Sequence, residues 1–126
     1  MKLFFAAAML LAATVSQADI IKCSFTEPFV DSTYSMSQST LSYKSSEGKE
    51  RVFKNVSMQI KGPGEFSLIS SDGKVLQSLS LNNKGSDGMS DTVFPYDVKD
   101  TNMGSMANNG YGGCTSNLLK AKNQNN

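Results

Sequence analysis

Asn55-Val-Ser-Met-Gln-Ile-Lys-Gly-Pro-Gly-Glu-Phe-Ser-Leu-Ile-Ser-Ser-Asp-Gly-Lys-Val-Leu-Gln-Ser-Leu-Ser-Leu81 is the stretch that decides the fold. Val56, Met58 and Ile60 alternate with Ser57, Gln59 and Lys61, the two-residue period of a strand with one buried face. Gly62-Pro63-Gly64 stops that strand, because few strands cross such a run. Phe66 and Leu68 share the next face, and Ser71-Asp72-Gly73-Lys74 carries the Asp-Gly signature of a tight turn. Val75 to Leu81 follows with Leu79 and Leu81 on one parity. The segment therefore predicts a strand followed by a β-hairpin.

The same grammar extends outward. From Tyr34 to Tyr43 the alternation slips once, with Tyr34 and Met36 on one parity and Leu41 and Tyr43 on the other, so a bulge is expected near Gln38 to Thr40. Ser45 to Glu50 reads as a turn leading into a strand near Arg51, and Asn82 to Gly88 as a loop. Strand character resumes at Thr92-Val93-Phe94 and Tyr96-Asp97-Val98, around a proline that suits an edge or a bulge. Asn102 to Gly113, rich in Gly and Asn, reads as a long mobile loop. Thr115 to Lys122 is the last run with any chance of helix. Short strands divided by Gly, Asn and Asp turns predict an all-β fold, a small antiparallel barrel or sandwich of about six to eight short strands with one disulfide.

The chain has 126 residues. Lys2, the apolar run Leu3 to Val15, and small residues at Ser16 and Ala18 read as a signal peptide over residues 1–18, with the cut after Ala18. A single β domain over 19–122 and a disordered tail over 123–126 complete the expected organisation. No run is long enough to span a bilayer as a helix. Ile20-Ile21-Lys22 before Cys23 does not suit a lipoprotein cut, so a periplasmic or secreted protein is expected. In an oxidising compartment the two cysteines, Cys23 and Cys114, read as a disulfide. Closing a loop of about 91 residues would contribute roughly 4 to 5 kcal/mol on the chain-entropy account.

Removing Lys2 with the leader leaves basic and acidic residues equal in number, and Arg51 is the one arginine. That balance argues against nucleic acid and anionic membranes as partners. No histidine is present, which removes the commonest general base and zinc ligand, and the thiols are expected to be bonded to each other. The carboxylate pairs Glu27/Asp31 and Asp87/Asp91 are the remaining acid/base option, but there is no tryptophan to build a sugar platform. No catalytic residue, cofactor or metal is therefore expected. Asp87-Gly88-Met89-Ser90-Asp91 offers oxygens for a calcium ion but misses the spacing of the known loop, so Asp87 and Asp91 are read as shaping a turn. Phe94, Tyr96 and Tyr111, with Phe25 and Phe29, form either an aromatic contact patch or core, and alternation turns Phe94 and Tyr96 to the same side. Asn55-Val56-Ser57 is a formal glycosylation acceptor inside the best strand and is discounted.

Thr26-Glu27-Pro28-Phe29, shortly after a cysteine, is similar to the Gly-Thr-Glu-Pro-Phe-Trp opening of a family of small bacterial cell-envelope proteins and lipoproteins. Ser86-Asp87-Gly88-Met89-Ser90-Asp91, Phe94-Pro95-Tyr96 and Gly113-Cys114 are similar to its closing box. Val30 replaces the opening tryptophan, and Gly85 stands where many relatives have a cysteine. The resemblance implies a periplasmic β-barrel that binds and does not catalyse. The function expected is thus a non-catalytic binding module, monomeric, with an unknown envelope or extracellular protein as partner. Glu27, Asp87, Asp91, Phe94, Tyr96 and Tyr111 are its candidate contact or loop-shaping residues. The alternatives are an inhibitor of a lysozyme-type or other cell-wall hydrolase and a small-ligand carrier.

Overall fold

A computed structural model describes residues 19–26, 29–101 and 110–123. The leader and its cut, Glu27, and most of the Asn102 to Gly113 stretch lie outside the described residues. The strands are β1 (Ile20–Phe25), β2 (Val30–Ser35), β3 (Thr40–Ser45), β4 (Glu50–Lys54), β5 (Ser57–Gly62), β6 (Glu65–Ile69), β7 (Val75–Gly85), β8 (Thr92–Asp100), β9 (Gly110–Ser116) and β10 (Lys122–Asn123). Nine of them form one antiparallel sheet in the order β4-β3-β2-β1-β9-β8-β7-β6-β5, and β10 pairs with the start of β8. The fold is all-β, as the periodicity requires, with more strands than expected.

The slip between Tyr34 and Tyr43 has a different cause from the bulge expected. It is a chain reversal, because β2 and β3 pair antiparallel, Tyr34 against Leu41, around a turn at 36–39. Ser39 takes a left-handed φ of 53° there, and its carbonyl accepts the Val56 N–H at 2.8 Å. The hairpin at Asp72-Gly73 and the stop at Gly62-Pro63-Gly64 stand where the sequence puts them. Past Leu81 the chain does not leave the sheet. β7 runs on to Gly85, with a register shift between Leu81 and Gly85 that lies opposite Pro95. That shift is the bulge the proline was expected to accompany, since proline offers no ladder N–H. Leu79 is buried but Leu81 is exposed, because β7 leaves the core before the shift.

Three further expectations are corrected. Gly110 to Gly113 are not loop but the first half of β9, paired with both β1 and β8. Thr115 and Ser116 end that strand, and there is no helix among the described residues. Asn123, placed in the tail, is the last residue of β10.

β1 and β9 pair in register, which sets Cys23 directly opposite Cys114 with their Cα atoms 4.0 Å apart, and the disulfide joins them. Alternate residues then fill one face: Ile21, Cys23 and Phe25 on β1, Val30 and Tyr34 on β2, Leu41 and Tyr43 on β3. Leu68, Leu79, Tyr96 and Val98 meet them from β6, β7 and β8, with Phe66 edge-on to Tyr96 at 5.8 Å. The sheet is open between its edges, β4 and β5. The antiparallel pairings force those two edges to run in the same direction, and only Asn55 (φ 60°) and Val56 separate them in the chain.

Candidate functional site

The interior holds a polar cluster that was not anticipated. Tyr43 on β3 donates its hydroxyl to the Asp100 carboxylate on β8. Gln77 on β7 donates through Nε2 to Asp100 Oδ2 and to Ser32 Oγ on β2, each at 3.0 Å. All four side chains are buried. Burial pushes the Tyr43 hydroxyl well above its usual range, and the Asp100 charge and hydrogen bond push it the same way, outweighing the opposing Gln77 contact. Gln77 Oε1 has no partner among the described residues. The cluster is a clasp joining β2 and β3 to β7 and β8. Parity could have found it: Asp100 continues the inward series of Tyr96 and Val98, as Gln77 precedes Leu79 and Ser32 lies between Val30 and Tyr34.

The surface site comes from the two boxes, which lie some sixty positions apart in sequence and meet in space. Thr26 Oγ1 donates to the Asp87 carbonyl at 2.7 Å. Within the loop, the Asp87 carboxylate accepts the N–H groups of Met89 (2.9 Å) and Ser90 (2.8 Å) and the Ser90 hydroxyl (2.9 Å). Those donors, the backbone N–H groups first, hold its carboxyl below the usual carboxylate range. Ser86 Oγ accepts the Gly88 N–H at 3.0 Å, and Gly88 has a φ of 90° and lies so close to Thr26 that a Cβ would stand 2.6 Å from Oγ1. Asp91 is exposed.

Phe94 anchors the far side of this loop. Cys23 and Cys114 face the core, so their neighbours Ser24 and Gly113, paired with each other, face outward. A Cβ on Gly113 would fall 2.6 Å from the Phe94 ring, so that ring occupies the space a side chain would take. Phe94 and Tyr96 therefore do not share a side as alternation predicts. Tyr96 belongs to the core and Phe94 lies on the outer surface of β9, the chain being redirected at Pro95 beside the β7 register shift. Phe25 is core, whereas Phe29 is exposed. Tyr111 is also exposed, beneath the Lys99 ammonium at 5.7 Å, on another part of the surface.

Between the loop and the β1–β2 corner lies an open groove of about 530 Å³ bordered by Ser24, Thr26, Phe29, Asp31, Lys44 and Met89. Phe29 is 51% exposed and Met89 69%. Of the residues in the Ser86–Asp91 box, Met89 is the one whose side chain is large, apolar and displayed. Among the described residues no three His, Cys, Asp or Glu side chains gather as a metal site, and no helix is long and apolar enough to cross a membrane. The disulfide fits a non-cytoplasmic protein. No family model matches the chain, and neither a curated protein nor a solved structure matches it.

Proposed function

We propose that this chain is an exported, non-catalytic binding module of a bacterial cell envelope, with its contact surface at the groove between the β1–β2 corner and the Ser86–Asp91 loop. One observation carries the reading. Ser86, Asp87 and Ser90 turn their side chains onto the loop itself, the Thr26 hydroxyl holds the loop by its Asp87 carbonyl, and Met89 and Phe29 both border one open groove. Exposed apolar side chains held on a fixed loop are what a protein contact needs, since their position costs little to order on binding.

The sheet supports a barrel form of the module. β4 and β5 run in one direction with a two-residue link, so counting them as a single bent strand gives eight antiparallel strands in a ring, with β9 returning to β1. Eight strands leave room for side chains and little else, and Tyr43, Leu41, Leu68 and Gln77 occupy that room. This favours surface contact over carriage of a small ligand.

A photo-crosslinking residue placed at Met89 or at Phe29, in cells producing the full chain, tests the proposal. The same discrete protein adduct is expected from both positions, and none from exposed Ser78 on β7. No adduct from either groove position, or an equal yield from Ser78, overturns it. An adduct containing a cell-wall hydrolase would specify the module as an inhibitor.

A further inference from the structure

The β4 edge carries an interaction surface of its own. Glu50, Val52 and Lys54 are exposed, Val52 at 53%, whereas Phe53 packs against the core. The hydrogen-bond phase of the strand is fixed by the Ser45 N–H, which donates to the Lys49 carbonyl at 2.8 Å. Antiparallel pairs alternate between bonded and non-bonded positions. In the β3–β4 register the bonded positions of β4 are therefore Arg51 and Phe53, opposite Tyr43 and Leu41. Glu50, Val52 and Lys54 turn their N–H and C=O groups the other way, toward an edge on which no described backbone group pairs.

Open edges are usually protected by like charges, commonly lysines, that repel a second strand. Here Glu50 and Lys54, the charges at the outward-bonding positions on either side of Val52, have opposite sign and are equally spaced from it. We propose that β4 pairs antiparallel with β4 of a second copy about a two-fold axis through Val52. In that register Val52 faces Val52, and Glu50 of each chain faces Lys54 of the other. The three outward-bonding residues of each strand then meet as bonded pairs, so two chains exchange about six backbone hydrogen bonds. The charges that would otherwise guard the edge become cross-strand partners. Arg51 of each chain faces Phe53 of the other on the opposite side, and Arg51 already lies 5.7 Å from its own Phe53 ring. This pairing departs from the monomer expected from the sequence. The inference is independent of the groove, which lies at the β1–β2 corner and the Ser86–Asp91 loop.

Sedimentation equilibrium of the oxidised protein tests it. The wild type is expected to dimerise reversibly with a dissociation constant of about 1 mM or tighter. Glu50→Lys and Lys54→Glu each oppose like charges twice, and each should weaken self-association by roughly tenfold or more. An equimolar mixture of the two variants should recover a heterodimer, because every opposed pair is then of opposite sign. The double variant Glu50→Lys/Lys54→Glu should dimerise like the wild type. Recovery on mixing also shows that the single variants are folded. The idea is overturned by a wild type that stays monomeric to about 1 mM, by single variants that associate as tightly as the wild type, or by a mixture that does not recover.

Discussion

Asp100 and Asp87 each gather donors around one carboxylate, the first in the interior and the second at the surface, and the two clusters serve opposite ends. Around Asp100 the donors come from β3 and β7, far apart in sequence, so the cluster fastens two halves of the sheet. Around Asp87 they come from two and three residues ahead, so the cluster shapes only its own loop and leaves Met89 displayed. The interior cluster works in a low dielectric, where a hydrogen bond is stronger and its loss more costly. The surface cluster competes with water. Asp100 is fully buried, whereas the Asp87 carboxylate is turned onto its own loop.

Tyr43→Phe should break this contrast most visibly. It removes a donor to a buried carboxylate, and a loss of about 2 to 3 kcal/mol is expected in urea unfolding with the disulfide intact. Gly113→Ala comes next, at about 1 to 3 kcal/mol, because its Cβ would meet the Phe94 ring at 2.6 Å. That cost should shrink when Phe94→Ala is made first, and a double-mutant cycle showing no coupling would refute the anchoring role of the ring. Asp87→Ala should change global stability by less than about 1 kcal/mol, since the carboxylate bonds only within its own surface loop. It should nevertheless speed amide exchange at Met89 and Ser90.

Titration sharpens the comparison in both directions of pH. The Tyr43 hydroxyl is raised above its ordinary 10.0, so the stability due to its neutral form is full below pH 10 and lost as pH rises through the higher folded value. Alkaline unfolding monitored by tyrosinate absorbance should show Tyr43 ionising only with global unfolding. Asp87 is held below its ordinary 3.8, so its contribution is full above that pH and lost as pH falls through the lower folded value. Amide shifts of Met89 and Ser90 should move in acid while the β1–β9 ladder persists. If the ladder melts together with the loop, the two clusters are not separate units.

Legibility in the sequence followed the source of each signal. The Gly62-Pro63-Gly64 stop and the Asp72-Gly73 hairpin were legible because backbone conformation writes them locally. β9 was not, because its first residues are glycines and a strand is normally read from side-chain alternation. Those glycines are fitted to neighbours: a Cβ on Gly112 would strike Ser24 O and the Phe25 ring, and one on Gly113 the Phe94 ring. The end of β7 was hidden in the same way, since Asn82-Asn83-Lys84 has loop composition yet lies inside the strand, at the register shift between Leu81 and Gly85. At the candidate site, Asp87 was readable as shaping its loop. That its loop rests on Thr26, with Phe29 across the groove, was not.

By itself the sequence determined the all-β class, the Ser45–Glu50 and Asp72-Gly73 turns, the pairing of the two cysteines and the absence of histidine. Those properties depend on local conformation or on how few residues of a type exist. The tertiary structure alone decided which strands neighbour, which carboxylate is buried, which face Phe94 covers and which edge is left open. Each of these depends on partners distant along the chain, and a two-residue period is blind to what a strand will pack against.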